Sequence, residues 1–227
     1  MKALLYKEFK LAMHPICYIF IALFPFMILI PSYPLAIGFI YVLSCYPILF
    51  LGANKGQQSN DLLFSTLLPV RKKDIVLARI ITVIFMQVAF MAIMSILYPL
   101  ASYLQANIID ETTGLQADLG VGLNLNAYVL TLALALIGFA IADLIFFPIY
   151  YKNGRSIVAS TLFTILGFVV YLGVFTIAIP YIIGVDKCNS LALWIQFLAL
   201  GGAILISAFI HFLVYKIASK KLEMVDF

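Results

Sequence analysis

Long uninterrupted runs of apolar residues decide what this chain can fold into. Several stretches between residues 16 and 215 carry almost no charge, and a run of roughly 18 apolar residues can cross a hydrocarbon core of about 30 Å as a helix. The chain is 65% hydrophobic and 11% charged, so too few polar side chains remain to cover a water-soluble core of this size. We therefore predict an all-α integral membrane protein with one transmembrane domain, 1–227.

The apolar runs predict six transmembrane helices. Spans one and two lie within 16–53 and are joined by a tight turn, Pro31-Ser32-Tyr33-Pro34. The other four spans are 80–103, 127–150, 157–185 and 191–215. The long connections are 54–79 and 104–126, and the chain ends in a tail, 216–227.

The basic residues predict the orientation of these spans. With six passes, thirteen of the fourteen lysines and arginines fall on one side of the membrane, and only Lys187 falls on the other. The positive-inside rule makes the lysine-rich side cytoplasmic. We therefore expect a multi-pass membrane protein with both termini and 54–79 in the cytoplasm and 104–126 outside.

The first fourteen residues, MKALLYKEFKLAMH, are too polar to cross the membrane. At 3.6 residues per turn their apolar side chains share one arc and their lysines the opposite one, which is typical of an interfacial helix on a membrane surface. Glu8 falls inside the apolar arc. It is either a carboxylate that reaches out to the interface or one partner of an ion pair with Arg71 or Arg79.

A search for catalytic chemistry finds no enzyme signature. The chain has two histidines and no cysteine–histidine set with metal-ligand spacing, and it lacks a phosphate-binding loop. We therefore predict no catalytic residue, no metal and no cofactor bound by this chain. The two histidines, His14 and His211, are interpreted as an interfacial and a packed residue.

Asp143 is the one acidic residue that falls well inside a predicted span. An acid at the centre of a membrane helix disfavours insertion by about 2.5–3.5 kcal/mol, so such carboxylates face protein or a water-filled cavity. Asp143 therefore either lines a transport path or couples to protons, or it is a buried carboxylate that bonds to a hydroxyl or amide of a neighbouring helix.

The loop between spans two and three contains an amphipathic stretch, 59–71. Asn60 or Asp61 can cap a helix there, and Pro69 ends it. The large apolar residues within it form a stripe, which either lies on lipid or docks in a groove of a partner protein. The stripe consists of Leu63, Phe64, Leu67 and Leu68.

Three segments resemble those of a known family. The stretch NDLLFSTLLPVRKKDIVLAR resembles the first cytoplasmic loop of bacterial ABC transporter permeases of the type-2 exporter family. The opening KALLYKEFKLAMHP resembles their interfacial helix, and FFPIYYKNGRS their link between spans four and five. The coupling loop of those permeases matches Asn60, Asp61, Leu68, Pro69, Val70 and Arg71, and their interfacial helix matches Glu8 and Lys10.

The resemblance implies a function that the residues alone do not give. It implies a homodimer or heterodimer of permeases in membrane lipid, with separate cytoplasmic ATPase subunits that bind ATP and magnesium and dock on the 59–71 helix. Some short permeases of this kind export amphipathic or antimicrobial peptides or give immunity against them, and others have no assigned cargo. The resemblance also implies a location in the plasma membrane of a bacterial cell. The alternative from a different class is a proton-coupled secondary transporter that uses Asp143. No nucleic-acid partner is expected, because the basic residues flank apolar spans and form no separate patch.

Overall fold

The computed structural model describes residues 2–12, 15–29, 70–104, 125–153 and 157–224, and within these ranges all regular structure is helical. Among these described residues, four helices are long and apolar enough to cross a membrane, or five elements if the bent pair at the amino terminus counts as one span. The predicted second span lies outside the described residues, so the six-span count stays a prediction. In chain order the helices are α1 (Lys2–Lys7), α2 (Pro15–Leu23), α3 (Lys72–Leu104), α4 (Tyr128–Asn153), α5 (Ile157–Leu172), α6 (Ile179–Ile183), α7 (Val185–Asn189) and α8 (Leu193–Glu223).

The amino-terminal region is a bent pair of short helices. Helix α1 continues as a π-helical turn, Glu8–Ala12, and the axis then bends by 78° before α2, which begins at Pro15. Proline suits the first position of a helix because it has no amide hydrogen to leave unsatisfied. From Phe24 the chain tightens into a 3₁₀ helix, Phe24–Leu29, which contains Pro25.

Helix α1 packs its apolar side on α3. Leu4 is buried with Ile75 and Ala78, one turn apart on α3, and the rings of Phe9 and Phe85 meet edge to face at 5.3 Å. The first turns of α3 are therefore covered by the amino-terminal helix. Its position relative to a membrane surface stays a prediction.

Helices α3, α4 and α8 form the centre of the described bundle. Arg79 near the start of α3 meets Tyr150 near the end of α4, at 3.4 Å between Nη1 and the hydroxyl, so these helices are antiparallel. Gln196 at the start of α8 donates to the carbonyl of Asn126 just before α4, at 3.2 Å, so α8 runs parallel to α4. Lysine residues near the start of α3 and the end of α8 consequently lie at the same end of the bundle.

Helix α8 packs closely against α4. Ala203 and Ser207 lie four residues apart on α8, and both are buried. Small residues at this spacing let two membrane helices approach closely.

Helix α5 packs against the other side of α4. Gly138 faces the rings of Tyr171 and Phe168, and a Cβ atom at residue 138 would lie 2.9 Å and 3.0 Å from them. The Tyr171 hydroxyl donates to the carbonyl of Leu134 at 2.7 Å. The predicted span 157–185 is not one continuous α-helix. It widens into a π-helical stretch, Gly173–Ala178, before α6, and Gly184 then ends this segment with a φ of +100°, which glycine adopts readily.

Helices α3 and α8 extend beyond the predicted spans. Helix α3 begins at Lys72, eight residues before the predicted start, and α8 continues past Tyr215 to Glu223. Asp74 in the first turn of α3 and the lysines in the last turn of α8 suit the helix dipole at each end. Lys73 and Glu223 meet at 3.3 Å, which joins the two extensions. Part of the predicted tail is therefore helical.

Candidate functional site

The predicted docking helix lies almost wholly outside the described residues. Val70 and Arg71 are described, and both are exposed. The Arg71 carbonyl accepts a hydrogen bond from the amide of Asp74 at 2.9 Å, which forms the first turn of α3. The other predicted docking residues lie outside the described ranges, and their role stays a prediction: Asn60, Asp61, Leu63, Phe64, Leu67, Leu68 and Pro69.

A buried ion pair joins the amino-terminal helix to α3. Arg79 donates from Nε to Glu8 Oε2 at 3.0 Å and from Nη2 to Glu8 Oε1 at 3.2 Å, so the planar guanidinium binds the carboxylate with two parallel bonds. Both side chains are buried, Glu8 with 4% and Arg79 with 7% of its surface exposed. Of the two arginines that the sequence offers to Glu8, the structure places Arg79 beside it, while Arg71 is exposed.

Two further side chains complete this amino-terminal cluster, which we define as Lys7, Glu8, Arg79 and Tyr150. The Lys7 ammonium lies 3.8 Å from Glu8 Oε1, and Arg79 also donates to the Tyr150 hydroxyl of α4. With two cations and one carboxylate, the cluster carries a formal charge of +1. It fixes the amino-terminal helix to the adjoining ends of α3 and α4.

A second polar cluster lies deeper in the bundle around Asp143. The Asp143 side chain is fully buried. Its Oδ2 accepts a hydrogen bond from Gln87 Nε2 of α3 at 3.0 Å and lies 3.0 Å from His211 Nε2 of α8. We call Gln87, Asp143 and His211 the mid-span cluster. It contains one side chain from each of the three central helices.

His211 is the residue that the sequence reasoning missed. It was interpreted as a packed side chain, whereas in the structure it contacts Asp143 directly. A sequence signal for this pair exists: Asp143 and His211 lie at similar depths in α4 and α8, and two polar residues at one depth of two parallel membrane helices have a strong reason to meet.

The two clusters are stacked on the same faces of α3 and α4. Gln87 follows Arg79 by eight residues on α3, and Asp143 precedes Tyr150 by seven on α4. Seven or eight residues are about two helical turns, or roughly 11–12 Å along the axis. The amino-terminal cluster therefore lies near the lysine-rich end of the bundle, and the mid-span cluster lies about two turns further in.

The described residues contain no group of three or more histidine, cysteine, aspartate or glutamate side chains that could hold a metal ion.

Aromatic side chains pack at the end of the bundle opposite the lysine-rich end. The Tyr98 and Tyr128 rings stack at 4.3 Å, and Tyr98 donates to the carbonyl of Leu125 at 3.2 Å. These aromatic contacts close the start of α4 against the end of α3. They are typical of the boundary of a membrane protein.

The four long apolar helices and their enclosed polar clusters define a multi-pass membrane protein. Residues 3–216 match the family described as ABC-2 family transporter protein, and the chain belongs to that family. The expected resemblance to type-2 ABC permeases is thereby confirmed. No curated protein and no solved structure shows a significant match.

Family membership settles the broad role of the chain. It is a membrane-embedded transport subunit of an ABC exporter rather than an enzyme in its own right. Membership in this family also implies association with ABC ATPase subunits and dimerisation.

Proposed function

We propose that this chain is the transmembrane subunit of an ATP-driven exporter, that it forms the substrate path, and that separate cytoplasmic ATPase subunits drive it through the 59–71 helix. The proposed cargo is an amphipathic or antimicrobial peptide, as the resemblance to short permeases of peptide exporters implies. ATP and magnesium bind to the partner ATPase. The proposed orientation places the lysine-rich end of the bundle in the cytoplasm.

The observation that most strongly supports this proposal is the bidentate pair between Arg79 and Glu8. It ties the amino-terminal helix to the first turns of α3, the helix that directly follows the proposed docking segment. A force applied to 59–71 would therefore act on both elements together. Since Arg79 also contacts Tyr150, the same movement would reach the end of α4.

The outward surfaces of α5 and α8 support the proposed association with a second permease. Only 22% of the span at α5 and 17% of the span at α8 is buried within this chain, and the exposed side chains include Phe163, Leu166, Leu205 and Phe209. Lipid and a second permease, identical or different, can share these surfaces.

A charge placed in the apolar stripe tests the docking assignment. In the Leu67→Asp variant we expect normal abundance in the membrane, because this segment does not enter the bilayer core. We expect loss of the ATPase, because burial of a large apolar side chain in a groove contributes about 1.5–3 kcal/mol and an unpaired charge there is unfavourable. The measurement is the amount of ABC ATPase that co-purifies with tagged permease from native membranes in mild detergent.

The matched control is Thr66→Asp, which adds the same charge one residue away, off the predicted stripe. It should retain the ATPase. If the Leu67→Asp protein still holds the ATPase at the wild-type ratio, the docking assignment is wrong. If both variants lose it, the segment is sensitive to charge in general and the predicted stripe does not describe the contact.

The second candidate function, proton-coupled transport, is favoured by one observation. Asp143 lies beside His211, and paired acids and histidines inside membrane spans occur in proton relays. This candidate requires transport without an ATPase, and family membership argues against it. A purified permease that moves cargo in ATPase-free vesicles under a proton gradient would establish it.

A further inference from the structure

Helices α3 and α8 extend beyond the predicted spans by the same length at the lysine-rich end of the bundle. Helix α3 begins at Lys72, eight residues before the predicted start of its span, and α8 ends at Glu223, eight residues after the predicted end of its span. Eight residues of α-helix are about 12 Å long. We call these two extensions, 70–79 and 216–224, the helical stub.

The two halves of the helical stub pack against each other. Val76 of α3 and Ala218 and Leu222 of α8 belong to one buried apolar cluster, and each of them is at most 1% exposed. Lys73 and Glu223 meet at 3.3 Å near the outer end. This ion pair is about half exposed and contributes little to stability, but it shows that the two helices lie side by side as far as Glu223. The helical stub is therefore a packed element of the fold.

One side of α8 is buried along the stub, and the opposite side is exposed. At about 100° per residue, Ala218, Ser219 and Leu222 share one arc of the helix, and the exposed residues share an arc of about 120° on the other side. These exposed residues are Lys216, Ile217, Lys220, Glu223 and Met224. Val70 and Arg71, just before α3, are exposed as well. The surface of the stub thus combines cationic side chains with a few apolar ones.

The length of the stub places its tip beyond the lipid headgroups. The headgroup layer on each side of a bilayer is about 5–8 Å thick, whereas the stub extends about 12 Å along the helix axis. Even a helix tilted by about 40° from the membrane normal would rise about 9 Å. Lys216 and Ile217 therefore lie at the depth of the headgroups, and Met224 lies beyond them. The tip is in a position to contact a water-soluble protein.

The position of the stub in the chain indicates which soluble protein this is. Val70 and Arg71 are the last residues of the proposed docking segment, 59–71, so a partner bound to that segment would lie directly beside the stub. We propose that the helical stub is a second docking surface for the cytoplasmic ABC ATPase, and that it fits an acidic face of the ATPase with an apolar depression for Met224. Cationic side chains favour such a face by charge complementarity. This inference rests on the proposed function, and under it the ATPase acts on α8 directly as well as through α3.

Site-specific photo-crosslinking in native membranes tests which molecule covers the tip. A photoreactive phenylalanine analogue replaces Met224, which is 59% exposed, and in the control it replaces Phe209, which is 63% exposed within the span. Illumination should join position 224 to the ATPase, whereas position 209 should give no ATPase adduct. The proposal is overturned if position 224 gives no adduct, or gives adducts only with lipid or with a second copy of this chain.

Reversal of one charge on the stub measures its contribution to ATPase binding. In Lys220→Glu the amount of ATPase that co-purifies with each permease should fall roughly threefold or more, because a like charge would face the acidic surface. Membrane abundance should stay normal, since Lys220 is exposed. The matched control is Lys187→Glu, the same change at an exposed lysine of α7. Under the proposed orientation Lys187 lies on the outer side, out of reach of a cytoplasmic ATPase, and this variant should keep the wild-type ratio.

The wild-type permease separates failure of this inference from failure of the proposed function. If the wild type brings no ATPase with it, the proposed function fails and the docking role of the stub fails with it. If wild type and Lys220→Glu bring equal amounts, the proposed function stands and the docking role of the stub is wrong. Equal losses in Lys220→Glu and Lys187→Glu would show a general effect of charge on the protein, and they would overturn the inference in the same way.

Discussion

Replacement of Glu8 should destabilise the protein more than replacement of Arg79, its partner in the amino-terminal cluster. Glu8 touches two cations, Arg79 at 3.2 Å and Lys7 at 3.8 Å from the same oxygen Oε1. Replacing Glu8 by glutamine removes the carboxylate that both cations contact. Replacing Arg79 by glutamine leaves Glu8 with the Lys7 ammonium still beside it. The first change should therefore be the more destabilising one.

The size of this difference follows from the distances. Because both cations contact one oxygen, they are no more than about 7 Å apart, and two like charges at that separation repel by about 2 kcal/mol at an effective dielectric constant of about 20. Removal of one partner from a buried pair typically costs about 3–5 kcal/mol. We expect Glu8→Gln to lie in that range, and we expect Arg79→Gln to cost about 1–3 kcal/mol because Lys7 compensates.

The free energy of unfolding can be measured by titrating the purified protein from mild detergent into SDS and following the loss of helical circular dichroism. Lys2→Gln is the matched control, since Lys2 is an exposed lysine of the same helix and its loss should change stability by less than about 0.5 kcal/mol. Equal losses for Glu8→Gln and Arg79→Gln would refute the reasoning, because Lys7 would then not share the charge of Glu8.

Two further predictions concern packing and topology. Gly138→Ala should lower stability by about 1–3 kcal/mol, because the new methyl group would lie 2.9 Å from the Tyr171 ring. The control Gly201→Ala, with open space around residue 201, should leave stability unchanged. Thermal unfolding in detergent measures both variants, and equal stability of the two would contradict the close packing of α4 and α5. Cysteines placed at Asn107 and Gln57 should differ in labelling by an impermeant reagent on intact cells, with only Asn107 accessible; equal labelling would contradict the six-span topology.

The long central helices could be predicted from sequence because membrane spans are recognisable by their length and hydropathy. Their ends could not, since α3 and α8 both continue into polar sequence, at Lys72 and to Glu223. Hydropathy marks where a helix leaves the hydrocarbon core and says nothing about where its hydrogen bonds stop. The break in the fifth span was missed for a similar reason, because Gly173–Ala178 contains no charged residue that would interrupt the hydropathy pattern.

The residues of the candidate site could likewise be predicted only in part from the sequence. The sequence left Glu8 either reaching out to the interface or paired with Arg71 or Arg79, and it could not choose among these, because the choice depends on how the amino-terminal helix packs on α3. Asp143 stood out because it is an acid within a span, while His211 did not, since a histidine near a predicted membrane boundary has an ordinary explanation. The contact between them depends on α4 and α8 running parallel, and this is a property of the tertiary packing.

The two clusters connect the amino-terminal helix to α8. The amino-terminal cluster, with a formal charge of +1, lies at the lysine-rich end, where anionic lipid headgroups favour a cation. The mid-span cluster lies about two turns deeper and joins α3, α4 and α8 through Gln87, Asp143 and His211. Because α3 and α4 contribute a residue to each cluster, movement of the amino-terminal helix can reach α8 through these two helices. Under the proposed function, ATP-driven movement at 59–71 would pass first through the ion pair of Glu8 and Arg79 and then through the polar contacts of Asp143.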